Sequence, residues 1–277
     1  PIEKQYIKIY KLKPDQIAHY KRFIKLDSSS AMEMLKRKAI SREIAYRGMT
    51  DARTKLSKVE LSIDKHVVGG KLTKARRKLH KKMARELTNK GQVARAGEQE
   101  FLMTGGYPGS GKTSMLNDAF PGWQKKYVHI DSDHIKSLLA AEDGIEKLGW
   151  RAYVYHDEAD FVIDEMMRLA RAENRHILFD KTMKTQSKVM QMLEAYEGVG
   201  YRIHTAFADL PIDQAMERAL ARFFGKSGRF VDPIYILTHG NKNIASFNAT
   251  KELAMRWAHY NTNVPINTPV LLLDGYP

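Results

Sequence analysis

Eight consecutive residues constrain this chain more than any other stretch: Gly106-Tyr107-Pro108-Gly109-Ser110-Gly111-Lys112-Thr113. They match G-x-x-x-x-G-K-[ST] in full. The context agrees, because the apolar run Phe101-Leu102-Met103 precedes the loop and a helix-compatible segment, Ser114 to Ala119, follows it. Glycine lets such a backbone wrap with its N–H groups pointing inward, where a side chain would collide with phosphate. The helix behind the loop directs its positive end at the anion. The motif therefore predicts an ATP site built from Gly106, Tyr107, Pro108, Gly109, Ser110, Gly111, Lys112, Thr113 and Ser114. Lys112 is expected to reach the β- and γ-phosphates, and Thr113 to offer its hydroxyl to Mg²⁺. The plain alternatives are a chance glycine turn and a degenerate loop without catalysis.

From Glu100 onwards, short apolar runs alternate with helical patterns. Candidate strands are Phe101–Met103, Tyr127–Ile130, His176–Phe179, Tyr201–Phe207 and Val270–Leu273. Amphipathic segments lie between them at roughly Asp157–Ala172, Gln186–Ala195 and Ile212–Phe224. This alternation predicts an α/β three-layer fold with a central parallel sheet of about five strands. In such sheets the ligand crevice opens beyond the C-terminal strand ends. Asp131 and Asp133, Asp180 and Thr182, and Asp274 follow three of the strands. Asp274 reads as a turn residue. Asp180 ends an apolar run and reads either as a Mg²⁺-orienting carboxylate or as a strand-end turn.

The segment ahead of the loop has a different character. Residues 1–100 hold 26 Lys/Arg against 11 Asp/Glu, so the whole positive excess of the chain lies there. That excess reads as a solvated helical face or as a footprint for nucleic acid, through residues 1–90, another polyanion or an acidic partner. Ser28-Ser29-Ser30 suits a helix cap. Thr73 suits another, ahead of a helix running towards Asn89 with Lys74, Arg76, Arg77, Lys78, Lys81, Lys82 and Arg85 on its exposed face. The expected organisation is a basic, mainly helical region over residues 1–70 and a kinase domain over 71–277. The absence of cysteine suits a reducing compartment and a cytoplasmic setting. No apolar run approaches the length of a membrane span.

A phosphate loop alone does not separate kinases from other nucleotide hydrolases. Asp131-Ser132-Asp133-His134-Ile135-Lys136 adds a carboxylate pair about twenty residues on. One member suits a helix cap or a metal contact, the other a base for an incoming hydroxyl. With these residues the sequence resembles the zeta-toxin family of P-loop kinases, in the form found in phage and mobile-element polypeptides. The resemblance runs from about Leu72 to Leu273 through Leu79-His80, G-G-Y-P-G-S-G-K-T and D-S-D-H-I-K. It continues through H-D-E-A-D at His156–Asp160, F-D-K-T-M-K at Phe179–Lys184, R-A-L-A-R-F at Arg218–Phe223 and G-R-F-V-D-P at Gly228–Pro233.

The resemblance implies Asp133 as the base, with Lys136 as its basic partner, and an acceptor pocket using Glu158 and Thr182. It implies a mobile segment carrying Arg222 and Arg229 over the phosphates. A closing, water-excluding arginine lid agrees with phosphoryl-transfer chemistry, while an exposed helix charge or a surface loop is the plain alternative for each arginine. The implied activity is transfer of the ATP γ-phosphate to a small-molecule acceptor, a nucleotide sugar such as UDP-N-acetylglucosamine. An antitoxin or virion partner is implied as well. Two other readings stand beside it: a nucleic-acid or nucleotide kinase, and a structural protein carrying an inactive kinase domain. Leu138-Leu139-Ala140 stands where the family carries a His-Pro dipeptide.

Overall fold

The computed structural model describes residues 60–146, 149–224, 229–231, 235–236, 238–265 and 268–276. The expected cap at Ser28–Ser30 lies outside them, as do Gly225–Gly228 of the expected lid. Alternation of side chains about one sheet organises the rest. Strands β3 (Glu100–Gly105), β4 (Val128–Ile130), β5 (Ile177–Asp180), β6 (Arg202–Asp209), β7 (Arg256–Asn261) and β8 (Leu271–Tyr276) pair in the order β4-β5-β3-β6-β7-β8. Two short strands, β1 (Val67–Val68) and β2 (Lys71–Leu72), form a separate antiparallel pair.

Phe101, Met103, Val128, Ile130, Ile177 and Phe179 point to one face, into the larger core. Leu102 and Leu178 point to the other, where they meet Met115 and Leu116. The first face is covered by α2 (Lys74–Thr88), α5 (Ser132–Glu142), α6 (His156–Ala172), α7 (Gln186–Glu197) and α9 (Lys242–Thr250), all contributing buried side chains. The second carries α3 (Lys112–Ala119) and the short α4 (Trp123–Lys126). Helices α1 (Ser62–Lys65) and α8 (Ile212–Phe224) complete the regular elements used below. The three-layer α/β expectation therefore holds.

Two details of the sheet differ from expectation. It has six strands, because Arg256–Asn261 inserts between β6 and β8. It is also mixed: β8 runs antiparallel to β7 while the other four pairings are parallel. Fewer than ten residues join β7 to β8, too few for the crossover that a parallel pair requires. Asp274 accordingly lies within a strand rather than a turn.

The helix capped by Thr73 forms as expected, with the Thr73 hydroxyl accepting the Arg76 N–H at 3.3 Å. One member of its predicted exposed face is misplaced. Arg76 is buried, because its guanidinium is drawn to Glu158 and Asp143. The segment from residue 60 is joined to the same body, with Ser62 N–H donating to Val154 O at 3.0 Å. None of the described helices is long and apolar enough to cross a membrane.

Candidate active site

The phosphate loop bridges β3 and α3, as its sequence requires. Gly106, Gly109 and Gly111 have φ values of 131°, 87° and 83°, a region that side chains resist. A Cβ on Gly106 would also meet the Ala208 carbonyl at 2.5 Å, and one on Gly109 the Ala215 carbonyl at 2.9 Å. Helix α8 thus sits directly against the loop. Thr262 buttresses it from β7, its hydroxyl 2.6 Å from Ser110 O and 2.7 Å from Asp209 O. Tyr107 ties the tip to the chain beyond α8, its phenol donating to Gly240 O at 2.7 Å. Pro108 fills the partly exposed tip, and Thr113 and Ser114 lie exposed on the first turn of α3.

Lys112 reaches across the loop. Its ammonium donates to Tyr107 O at 3.3 Å and lies 3.9 Å from Asp180 Oδ1. Asp180 also accepts the Thr104 hydroxyl at 2.8 Å, from the residue opposite it in the β3–β5 register. Burial raises the Asp180 pKa, with nearby Asp131 adding to the effect and Lys112 opposing it. A second cation beside this carboxylate would relieve that cost. The donor set suits a divalent ion: Asp180, the neighbouring Asp131, and the Thr113 hydroxyl at the start of α3.

The two aspartates after β4 have separate tasks. Asp131 is the N-cap of α5, its Oδ1 accepting the Asp133 N–H at 2.9 Å. Asp133, two residues on, faces cations. Arg229 Nη1 lies 2.8 Å from its Oδ2 and Lys136 Nζ lies 3.5 Å from its Oδ1. Burial acts to raise the Asp133 pKa, but Arg229, Lys136 and Lys112 hold it below the ordinary value. Arg222 belongs to the same field. Burial and Arg229 depress its pKa, while Asp133, Asp131 and Asp180 support its charge. The structure therefore brings Lys112, Asp133, Lys136, Asp180, Arg222 and Arg229 into one electrostatic group.

The two expected acceptor residues are placed differently. Thr182 follows β5 and opposes the rise that burial imposes on the Tyr235 phenol pKa. Glu158 is fully buried among other partners. It bonds Arg76 Nε, Arg76 Nη2 at 3.1 Å and His80 Nε2 at 2.7 Å. Burial opposes the Glu158 charge, yet His80 and Arg76 hold its pKa down at about 2. Arg76 also holds Asp143, the C-cap of the helix that carries Asp133, at 2.7 and 3.2 Å. Glu158 thus anchors α2 to the helix that carries Asp133 through Arg76.

Sequence reasoning passed over Thr262 and Arg218. Arg218 Nη2 donates to Thr262 O at 3.1 Å, and its Nη1 would lie 3.4 Å from a Cβ on Gly111. A signal was available for Arg218, since it sits one turn before Arg222 on the helix. Thr262 had none, because the strand that delivers it was not recognised.

A family profile described as "Zeta toxin" matches residues 84–259, more than half of the chain. No curated protein sequence matches it. Among solved structures, the PezAT chromosomal toxin-antitoxin system of the human pathogen Streptococcus pneumoniae gives a TM-score of 0.52 at 17% identity, covering 74% of this chain and 81% of that one. AvrRxo1-ORF1:-ORF2 with ATP gives a TM-score of 0.59 at 15% identity, covering 74% of this chain and 68% of that one. The same pair with sulphate ions gives 0.57 at 17% identity, covering 74% and 69%. At these identities the structural likeness is one of fold.

Proposed function

Since the chain belongs to the zeta-toxin family of ATP-dependent kinases, we propose that it transfers the ATP γ-phosphate to a hydroxyl of a nucleotide sugar such as UDP-N-acetylglucosamine, with Asp133 as base. One observation carries this reading: a carboxylate in the first turn of α5, its pKa held down by the cations around it, Arg229, Lys136 and Lys112. Asp133 accepts the proton of the acceptor hydroxyl as that oxygen bonds the γ-phosphorus. The bond from phosphorus to the bridging oxygen breaks, and ADP leaves. Lys112 draws towards the β- and γ-phosphates, exchanging Tyr107 O and Asp180 for phosphate oxygens. Arg222 and Arg229 neutralise charge on the migrating group and exclude water. Thr113 and Asp180 would hold Mg²⁺, which would supply neutralisation of the phosphate charge. Lys136 and Thr182 border the acceptor side of this arrangement. Glu158 acts from behind, by fixing α2 against the helix that carries Asp133.

The test is incubation with γ-labelled ATP, a divalent cation and a panel of acceptors: nucleotide sugars, nucleosides, DNA and RNA. Label on a nucleotide sugar, lost in Lys112→Ala and Asp133→Ala, supports the reading. Label confined to another acceptor overturns the substrate, and nucleotide binding without any transfer favours the structural role. That one neighbour is part of a toxin-antitoxin system, and that the other was solved with a second chain, supports an antitoxin-like partner here as well.

A second reading rests on the exposed basic stripe of α2: Lys74, Arg77, Lys78, Lys81 and Lys82. It predicts DNA or RNA binding that weakens steeply with salt. No binding of either polymer at low salt removes it.

A further inference from the structure

His129 lies two residues before Asp131 and plays no part in the transfer described above. Its placement follows from the pleat. Val128 and Ile130 point into the larger core, so His129 points to the opposite face, the face that carries α3. Asp131 continues in extended conformation, with φ −120° and ψ 107°, so its side chain emerges on the same face as His129. On the neighbouring strand Leu178 packs against that face, and Asp180, two residues on, follows it. Two adjacent strands thus deliver an imidazole and two carboxylates to the ground in front of the phosphate loop.

The ligand atoms of His129, Asp131 and Asp180 all lie within 4.8 Å of one another. The Oδ1 of each aspartate is engaged, by the Asp133 N–H and the Thr104 hydroxyl, which leaves the Oδ2 of each. His129 Nε2 is buried and has no hydrogen-bond partner among the described residues. The Trp123 indole stands edge-on to the imidazole at 4.8 Å between centroids, fixing its plane. A buried, oriented, unpartnered ring nitrogen beside two half-engaged carboxylates is a ligand set of mixed nitrogen and oxygen character.

We propose that His129 is a direct ligand of the divalent cation at this site, beside Asp131 and Asp180, and that it makes the protein select transition ions such as Mn²⁺ over Mg²⁺. The inference deepens the kinase reading and rests on it. Its physical ground is ligand preference: Mg²⁺ favours carboxylate, phosphate and water oxygens, whereas first-row transition ions accept imidazole.

Mn²⁺ titration of the tag-free full chain, with and without ADP, tests it by electron paramagnetic resonance. The expected result is a protein-bound Mn²⁺ with hyperfine coupling to a ring nitrogen, displaced only by Mg²⁺ in roughly tenfold or greater excess. His129→Ala should abolish the nitrogen coupling and weaken Mn²⁺ by at least about tenfold. His129→Gln, which offers an oxygen of similar reach, should keep more of the affinity but none of the coupling. Thermal melting and binding of a fluorescent ADP show that each variant is folded. Bound Mn²⁺ without nitrogen coupling, coupling that survives in His129→Ala, or no bound Mn²⁺ at all would overturn the assignment. Nitrogen-coupled Mn²⁺ with no transfer to any acceptor would sink the kinase reading and leave the metal site. Transfer with Mg²⁺ and no nitrogen-coupled Mn²⁺ would do the reverse.

Discussion

Burial alone would favour a protonated Asp133, yet Arg229, Lys136 and Lys112 keep its carboxyl ionised. Asp133→Asn should therefore reduce single-turnover transfer by a factor on the order of 10² to 10⁴ while leaving nucleotide binding in place, measured with labelled ATP. Lys112→Ala removes a charge aimed at the migrating group and should cost a factor on the order of 10² to 10³, read in the same assay. The pH profile separates Asp133 from its partners. Because its pKa is lowered, the acidic limb of kcat/KM in the wild type lies below the ordinary aspartate range. Removing the largest opposing cation by Arg229→Ala lets burial dominate, so the limb should move to higher pH. A limb that stays in place would mean that Arg229 does not govern the base. At this scale the loop was legible because its residues are contiguous and each glycine has one geometric job. The division of labour between Asp131 and Asp133 was not, since either side chain can cap a helix. Only the hydrogen bond from the Asp133 N–H decides it.

Helix α2 shows how elements are held together by charges distant in sequence. Arg76 and Glu158 are 82 residues apart, and no local pattern links them. Read alone, Arg76 looked like one more exposed cation in a basic stripe. A buried pair of this kind is costly to break, because the surviving charge has nowhere to go. Glu158→Ala should lower stability by about 3–5 kcal/mol in urea unfolding. The same pair sets an acid limit. The Glu158 pKa falls from 4.5 to about 2 on folding, so its contribution is complete above the unfolded value and disappears as pH drops towards about 2. Urea midpoints should fall across that window in the wild type and fall less in Glu158→Gln, compared from pH 5 downwards. The strand that escaped notice, Arg256–Asn261, has a related cause. Only Ala258 and Tyr260 along it are fully buried, so its apolar signal is thin although it is an interior strand. Once β7 is in place, the antiparallel course of β8 follows from the short connection between them.

For the whole molecule, the charge asymmetry and the fold divide at different points. Met83, Ala84 and Leu87 of α2 belong to the main core, so a cut near residue 90 would dismantle the kinase along with any polyanion site. A deletion ending before Glu60 instead removes 15 Lys/Arg and 6 Asp/Glu and keeps the core-forming helix α2 whole. That variant should keep cooperative melting and nucleotide binding. Its residual affinity for DNA or RNA, measured against salt, then apportions binding between residues 1–59 and the stripe on α2. The ion pair between Arg229 and Asp133 also has a temporal consequence. If Asp133 is the base, as proposed, then while Arg229 is paired with it an arriving alcohol finds no free proton acceptor, and a lone water molecule finds none either. The γ-phosphate is the anion able to draw Arg229 away. Catalysis should therefore follow a compulsory order, nucleotide first and acceptor second, with ADP competitive against ATP and noncompetitive against the acceptor in steady-state product inhibition. Random addition, with the acceptor binding equally well to the empty enzyme, would mean that the pair does not gate the base. On that reading the latch keeps empty enzyme from holding the acceptor, so the acceptor is engaged only where nucleotide is already bound.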